Sequence, residues 1–441
     1  MKHYDVIVAG GGTAGAIAAI ASARGGAKTL VVERFGHLGG TATYGIPFLG
    51  LLSGAGEAVY GGIVTELLER LQREGYAFGI ADGAHWYTPD KPESYGFNLY
   101  PFDPEGLKFV LQEMLLEAGG ELLLHSTVSA VHTEEQRVTE IEVCSPVANH
   151  RLSADIYLDC TGDASLIYRA GGSFLPKGRT QNSSILFHLG GLDLNVFRKA
   201  LQDGDHIEGR DNWHTRVVYR EKVSGAGPTF VHMAGHLRPF DDERTVTFTA
   251  VSYRDGEVFL NATRIPGLDP NDTWDLTRGE IEERRHVMQL VQAMRKTIPG
   301  FSSAILLGTS PIGVRESRNI RGLYTITGED VLSGRTFSDG VARGSYPVDI
   351  HDPKGGKTQF HFIENGAGYE IPLRAMIPCD LKNVIAAGRC ISADQIAHGS
   401  VRIMGCCLHQ GAAAGTAAAL CIRNGVSPSA LDGAYLKSIL L

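Results

Sequence analysis

Apolar and polar positions along this 441-residue chain follow two different periods, and each change of period marks an element. Val6, Ile7 and Val8 form an unbroken apolar run of strand length that gives way to Gly10, Gly11 and Gly12. Ala16, Ile17, Ala18, Ala19 and Ile20 then follow without a polar residue, which predicts a buried helix, and a second strand is expected over residues 28–32. Ile63, Leu67, Leu68 and Leu71 share one stripe of a helix predicted over residues 61–73. Asp103 followed by Pro104 carries helix-start chemistry, and Gly119 and Gly120 stop that helix after Ala118.

Period two then takes over. Residues 127–132, 138–144 and 150–153 read as a three-stranded meander with turns at Glu134-Glu135 and Pro146. Residues 156–159 read as a further buried strand that stops at Thr161-Gly162-Asp163. Strand-like runs at 184–189, 229–232, 245–251 and 258–262 stand among polar loops, and residues 277–297 predict a charged helix whose Glu282-Glu283-Arg284-Arg285 run is expected on a solvated face. The chain closes with a strand at 384–387, ended by Gly388 and Arg389, and an alanine- and glycine-rich helix over 402–423. Residues 76–102, aromatic and broken by Pro89, Pro92 and Pro101, are expected to form a lid.

The first strand–helix passage carries chemistry. Gly10, Gly12 and Gly15 spell G-x-G-x-x-G between a strand and a helix: the first permits the turn, the second leaves a pyrophosphate room at the backbone, and the third lets helix and strand pack closely. Gly11, Thr13 and Ala14 complete a loop whose helix N-terminus favours an anion. Glu33 closes the second strand, placed to accept both ribose hydroxyls of an adenosine. The loop holds the ADP half that FAD and NAD share. Leu38, Gly39, Gly40 and Thr41 are expected alongside the same cofactor, and Cys160, Thr161 and Gly162 end a strand where open α/β sheets place their ligands. The fold class expected is α/β: a Rossmann-like dinucleotide-binding domain, a parallel sheet with a β-meander, drawn from residues 1–47, 100–176 and 371–441. A helical or lid insertion over 48–99 and a β-rich α+β substrate domain over 177–370 complete it.

Composition narrows the function. Hydrophobic residues at 43% and charged residues at 20% suit a soluble globular enzyme, and a net charge of −8 argues against nucleic acid as a partner. An anionic substrate therefore needs a local basic pocket. No apolar run reaches the ~18 residues of a membrane span, residues 411–422 being the longest candidate, and no secretory leader is read ahead of the first strand at Tyr4, so the cytoplasm is expected. Seven cysteines without a C-x-x-C fit a reducing compartment and weigh against a redox disulfide; adjacent Cys406 and Cys407 read as buried thiols. His232 and His236 lack a third ligand nearby, so no metal is expected, and the absence of a G-x-S-x-G elbow argues against a hydrolase.

Residues 38–43 read L-G-G-T-A-T, 313–318 read G-V-R-E-S-R and 387–392 read A-G-R-C-I-S. With the glycine loop, these make the chain resemble the FAD-dependent oxidoreductases of the glutathione-reductase-like superfamily over nearly its whole length. The resemblance implies FAD in an extended pose: Gly12, Thr13 and Ala14 at the pyrophosphate, Glu33 at the ribose, and Val128 at the adenine through its backbone. Arg34, Cys160, Thr161, Gly162, Gly388, Arg389 and Gly411 would line the same cleft. That superfamily usually ends the late strand in Gly-Asp or Gly-Glu, and Arg389 departs from it. More distantly, His398-Gly399-Ser400-Val401-Arg402 is similar to the H-G-x-x-R of succinate dehydrogenase and fumarate reductase flavoproteins, which implies that Arg402 grips a substrate carboxylate. The histidine that anchors flavin covalently there has no match, His37 lying at another offset, so non-covalent FAD is expected.

The expected function is hydride transfer between flavin N5 and a small, anionic or polyhydroxylated molecule. No second glycine-rich strand–helix unit for a pyridine nucleotide is read, so electrons would pass directly to the substrate or to an external acceptor or donor. His351 and His398 are candidate bases, and Arg374 joins Arg402 as a candidate catalytic cation. An FAD-binding protein with a non-redox, sensor or structural role is the alternative.

Overall fold

In a computed structural model that describes residues 2–80, 99–176, 181–202, 216–219, 231–237, 246–351 and 359–441, Val6, Ile7 and Val8 are wholly buried on the strand Lys2–Ala9 (β1). β1 hands over through the glycine loop to the helix Thr13–Arg24 (α1), and the strand Thr29–Val32 (β2) returns parallel to β1, with Val6 opposite Thr29 and Ala9 opposite Val32. The helices Gly62–Arg73 (α2) and Pro104–Glu117 (α3) follow. Asp103 starts α3 as the sequence requires, its carboxylate accepting the Glu105 N–H at 2.9 Å. Val64, Leu67, Leu68 and Leu71 of α2 join the same core as α1 and α3. The remainder of the expected lid, residues 81–98, lies outside the described residues.

The strand Glu121–Leu123 (β3) pairs parallel with β2, and Thr127–Glu134 (β4) with Arg137–Cys144 (β5) makes a hairpin. Its two turn residues, Glu135 (φ 45°) and Gln136 (φ 65°), are both left-handed, the geometry that matches strand twist in a two-residue connection. The strand and third meander strand expected separately are one element, Asn149–Asp159 (β6). Its first half pairs antiparallel with β5 and its second half parallel with β1 and with the late strand Val384–Ala386. The change of partners near Ala154-Asp155 breaks the apolar period, which is why one strand reads as two. The sheet runs β3-β2-β1-β6-β5-β4, with the late strand also on β6.

A second sheet is antiparallel throughout. Leu186–Gly190 (β7), Arg216–Tyr219 (β8), Val231–Leu237 (β9), Val246–Ser252 (β10), Val258–Asn261 (β11) and Ile305–Thr309 (β12) lie in the order β8-β9-β10-β11-β7-β12. The helix Thr273–Thr297 (α4) covers it, burying Val287, Leu290, Val291 and Met294 with Phe187, Leu189, Val258 and Leu260. The four-residue charged run on α4 is not wholly solvated. Glu283 is fully buried, because at 100° per residue it falls on the stripe of Val287, Leu290 and Met294. His232 and His236 share one face of β9, and their side chains lie outside the described atoms.

The chain then returns to the first core through the antiparallel pair of Gly340–Gly344 with Tyr369–Pro372, the late strand, and the helices Gln395–Val401 (α5) and Met404–Asn424 (α6). Arg402 therefore caps the C-terminus of α5 instead of lying within the last helix. α6 presses its backbone on α1: a Cβ at Gly411 would lie 2.2 Å from Ala14 O, and one at Gly415 2.1 Å from Ala18 O. By length and composition α6 could cross a membrane, yet 83% of its apolar window is buried in this packing.

Candidate functional site

Each glycine of the first loop answers a different demand. Gly10 has φ 92°, and a Cβ there would sit 2.7 Å from Cys160 O; a Cβ on Gly15 would sit 1.8 Å from Gly10 O. A Cβ on Gly12 would meet no protein atom within 4 Å. Gly12 thus borders open space at the N-terminus of α1, where no side chain caps the helix and the first turn holds no acid. Uncapped N–H groups and the dipole stabilise an anion there by about 0.3–1 kcal/mol, which suits a pyrophosphate.

The segment from Leu38 to Thr41 runs beside this loop. The Gly39 N–H donates to Gly11 O at 2.9 Å, and the Thr13 hydroxyl donates to Gly39 O at 3.3 Å. Leu38 packs against Gly11, a Cβ on Gly40 would come within 2.9 Å of Gly12 Cα, and Thr41 follows exposed in the same turn. Glu33 is buried, with Oε2 accepting the Gly11 N–H at 2.6 Å and Oε1 the Phe35 N–H at 2.8 Å. Both oxygens are therefore fixed by backbone, and each retains a lone pair for a ribose hydroxyl. Ser126 N–H donates to Glu33 O at 2.9 Å, which brings β4 and its buried Val128 to the same end of the loop. Arg34 lies over the Phe35 ring at 4.8 Å.

The opposite wall is the end of β6. Buried Asp159 accepts from the Thr161 hydroxyl at 2.7 Å and the Ile167 N–H at 2.9 Å, and the same hydroxyl accepts the Ser165 N–H at 2.8 Å. The Thr161 N–H also donates to Asp159 Oδ1, at 3.1 Å, so both its side chain and its amide are occupied within the fold. Arg389, standing where an acid is usual at this strand end, has its side chain bound within the fold. Its Nη2 donates to Asp163 Oδ1 at 2.7 Å and its Nη1 to Val314 O at 2.7 Å, so the guanidinium is engaged behind Gly162. Burial would raise the Asp163 carboxyl, but Arg389 and Ser317 outweigh it and hold the group below its ordinary value. The G-V-R-E-S-R segment completes this brace: Ser317 Oγ donates to Gly162 O at 3.2 Å, and Arg318 stacks on Tyr168 at 4.0 Å. The Gly388 N–H donates to Gln410 Oε1 at 2.7 Å, and Gly388 with Gly411 flanks Ala14. Buried Cys160 stands beside Gly10. These residues form one cleft whose glycines and uncapped helix fit an extended dinucleotide.

A second constellation lies at the junction of the two sheets. Arg402 Nη2 lies 3.4 Å from Asp349 Oδ2 and donates to Asp349 O at 3.1 Å and Gln181 Oε1 at 3.4 Å. His351 Nε2 lies 3.4 Å from the same Asp349 oxygen. Arg315 donates from Nη1 to Asn182 O at 2.6 Å and feels both Arg402 and Arg264. Burial first, then repulsion from those two guanidiniums, pulls Arg315 down to about 9. Burial would raise Asp349, yet His351, Arg402 and Arg315 hold it below the usual carboxylate value. Arg402 Nε and Gln181 Nε2 are buried donors with no acceptor among the described residues. His398 connects this group to the cleft: it is buried on α5, with Nε2 3.0 Å from Arg389 O. Arg264 and Arg315 were not singled out by sequence. Arg315 sat inside a recognised motif, while Arg264 is a lone loop arginine with no local signal.

Arg374 is not brought to this group. It follows Pro372 in an outward-facing turn and forms a two-pronged pair with Asp339 at 2.8 and 3.1 Å, its side chain 49% exposed. Its charge is satisfied at the surface, which removes the reason to call it catalytic. His37 stacks on Phe35 and sits 3.2 Å from Leu38 O. Among the described residues, ligand atoms of His132, Glu140 and Glu142 lie within 4.8 Å of one another, but Arg151 stands 3.5 Å from Glu140 and 3.1 Å from Glu142.

Two buried imidazoles give the fold an acid limit. Burial, above all, holds His351 and His409 each down to about 4, whereas an unfolded histidine titrates near ~6.5. Because the folded values are the lower ones, this contribution to stability is complete above about pH 6.5 and is lost as pH falls towards 4, by about 1.4 kcal/mol per pH unit for each ring. Denaturant titrations across that window are expected to show the loss, and His409→Gln to remove about half of it; a flat profile contradicts the assignment.

The sequence profile of the FAD dependent oxidoreductase family matches residues 5–440. No curated protein matches the chain in sequence. Among solved structures, the chain is similar to a geranylgeranyl bacteriochlorophyll reductase-like protein from Thermoplasma acidophilum, with a TM-score of 0.50 at 13% identity over 96% of this chain and 80% of that one. The flavin-dependent brominase Bmp2 gives 0.48 at 14% identity over 99% and 83%. The anhydrotetracycline hydroxylase OxyS from Streptomyces rimosus gives 0.48 at 15% identity over 99% and 64%. At such identities the first of these likenesses speaks for the fold alone. The family match, spanning nearly the whole chain and agreeing with a cleft built for an extended dinucleotide, makes this protein a member of the FAD dependent oxidoreductase family.

Proposed function

We propose that the protein transfers a hydride between its FAD and a small organic anion held by Arg402. The observation that carries this reading is the pair of buried donors, Arg402 Nε and Gln181 Nε2, which lack acceptors beside a group of three guanidiniums. A buried donor without an acceptor is costly, by about 1–3 kcal/mol, and a carboxylate would satisfy both. Bound FAD supplies the hydride acceptor or donor, a chemistry no side chain here can replace.

The residues have separable roles. The Arg402 fork positions the anionic end, always charged and able to make two parallel hydrogen bonds. Asp349 orients both Arg402 and His351. His351 is a neutral imidazole, held down by burial and by Arg315 and Arg402. An anion that offsets those two charges would raise its basicity and suit it to take a proton from the substrate. His398, buried against Arg389 O, fixes α5 to the cleft and so positions Arg402.

The electron partner would be the substrate itself or an external acceptor or donor, with FAD held non-covalently. Free thiols at all seven cysteines suit the cytoplasm, and neither nucleic acid nor membrane is needed as a partner. Anaerobic addition of a panel of small organic anions and polyols to the FAD-loaded protein tests the reading. Loss of flavin absorbance with an anion is expected; reduction by dithionite but by no panel member would favour a non-redox or sensor role.

A further inference from the structure

We infer that Arg264 and Arg315, together with Arg402, make a site for an organic anion bearing two negative groups, one at Arg402 and one between Arg315 and Arg264. This rests on the Arg402 reading above and specifies its substrate class. The three arginines come from separate parts of the chain: Arg264 after β11, Arg315 after β12 and Arg402 between α5 and α6. They converge on one short segment. Arg402 Nη2 donates to Gln181 Oε1 at 3.4 Å, Arg315 Nη1 donates to Asn182 O at 2.6 Å, and Ile265, next to Arg264, exchanges backbone hydrogen bonds with Ser183 at 2.9 and 3.2 Å; Arg264 also borders a cavity of about 420 Å³ on the α4 side. The Arg402 end adjoins the FAD cleft through His398 and Arg389.

Among the described residues, no carboxylate lies within ion-pair distance of Arg264 or Arg315, and Arg402 has only Asp349, at 3.4 Å and through one nitrogen. Two acids lie within electrostatic reach. Asp349 is shared with His351, and Glu283 holds His286 Nδ1 at 2.9 Å through Oε1. Half-buried guanidiniums are ordinarily paired. A ligand with a single charge at Arg402 would leave Arg315 and Arg264 without an ion-pair partner among the described residues, whereas one with two anionic groups answers both ends and the unpartnered donors. The outer cavity beside Arg264 is mixed in charge: Arg285 and His286 line it with Glu282 and with Arg278, which Asp275 and Glu282 pair at 2.6 and 3.3 Å.

Calorimetric titration of the FAD-loaded protein with propionate, malonate, succinate and inorganic phosphate tests this, on the wild type and on Arg264→Gln and Arg315→Gln. The expected result is that malonate or succinate binds at least about tenfold more tightly than propionate. Arg264→Gln should abolish that advantage, move propionate affinity less than about threefold and leave FAD occupancy unchanged. Arg315→Gln, if it folds, should do the same; Arg264→Gln suffices if it does not. Equal binding of propionate and the dicarboxylates would overturn the two-charge inference while leaving the Arg402 reading intact. Phosphate binding as tightly as the best dicarboxylate would overturn its organic part. Absence of binding by every probe, with FAD in place, would sink both.

Discussion

Replacing Arg402 by alanine is expected to leave FAD bound while slowing flavin reduction by the true substrate about 10²–10³-fold, or ~3–4 kcal/mol of positioning and charge stabilisation. Arg402→Lys should fall almost as far, because lysine keeps the charge but loses the planar fork. The structure also names what else the substitution disturbs. Asp394, eight residues before Arg402, is engaged elsewhere: it caps α5, accepting from Ala397 N–H at 2.7 Å, and also accepts the Gly328 N–H. The acid beside Arg402 is Asp349. Loss of the guanidinium leaves that buried carboxylate with less support, so Arg402→Ala should also melt somewhat earlier. The double variant Arg402→Gln, Asp349→Asn separates the two effects: it should recover stability without recovering rate. Recovery of both would make Arg402 a structural residue only.

Gly12→Val should produce a folded, colourless protein. Its φ of −66° is open to any residue, and the added side chain would point where no protein atom lies within 4 Å. The substitution therefore costs the fold little and fills the open space at the N-terminus of α1, where a pyrophosphate is expected. FAD affinity is expected to fall at least about a hundredfold, and with it the stabilisation by bound ligand, about 2.7 kcal/mol at a hundredfold excess over Kd. Gly15→Val is the contrast, since a Cβ there meets Gly10 O at 1.8 Å and the strand–helix junction itself must open. Full FAD retention in Gly12→Val would show that the pyrophosphate lies elsewhere.

The cleft was legible in sequence because its demands are local. Positive φ at Gly10, close approach at Gly15 and a carboxylate at Glu33 leave a signature within one strand–helix–strand unit. The final helix was legible for a similar reason, as only glycine at 411 and 415 allows backbone contact with α1. Features that depend on distant partners were not. β6 reads as two strands because it changes neighbours, and Glu283 reads as solvated because its neighbours on α4 hide the apolar stripe it shares. The arginine group is the clearest case. Arg264, Arg315 and Arg402 are far apart in sequence, and their surplus of charge exists only once both sheets are assembled. Arg374, an arginine of the same type, met Asp339 at the surface instead, and no local pattern distinguishes the two fates.

A crystal structure of the FAD-loaded protein with the anion that best bleaches its flavin tests the central claim most directly. The account predicts an oxygen of that anion within hydrogen-bond distance of Arg402 Nε, with the flavin beside it. An anion bound away from Arg402, with Nε satisfied by the protein's own groups, would contradict it.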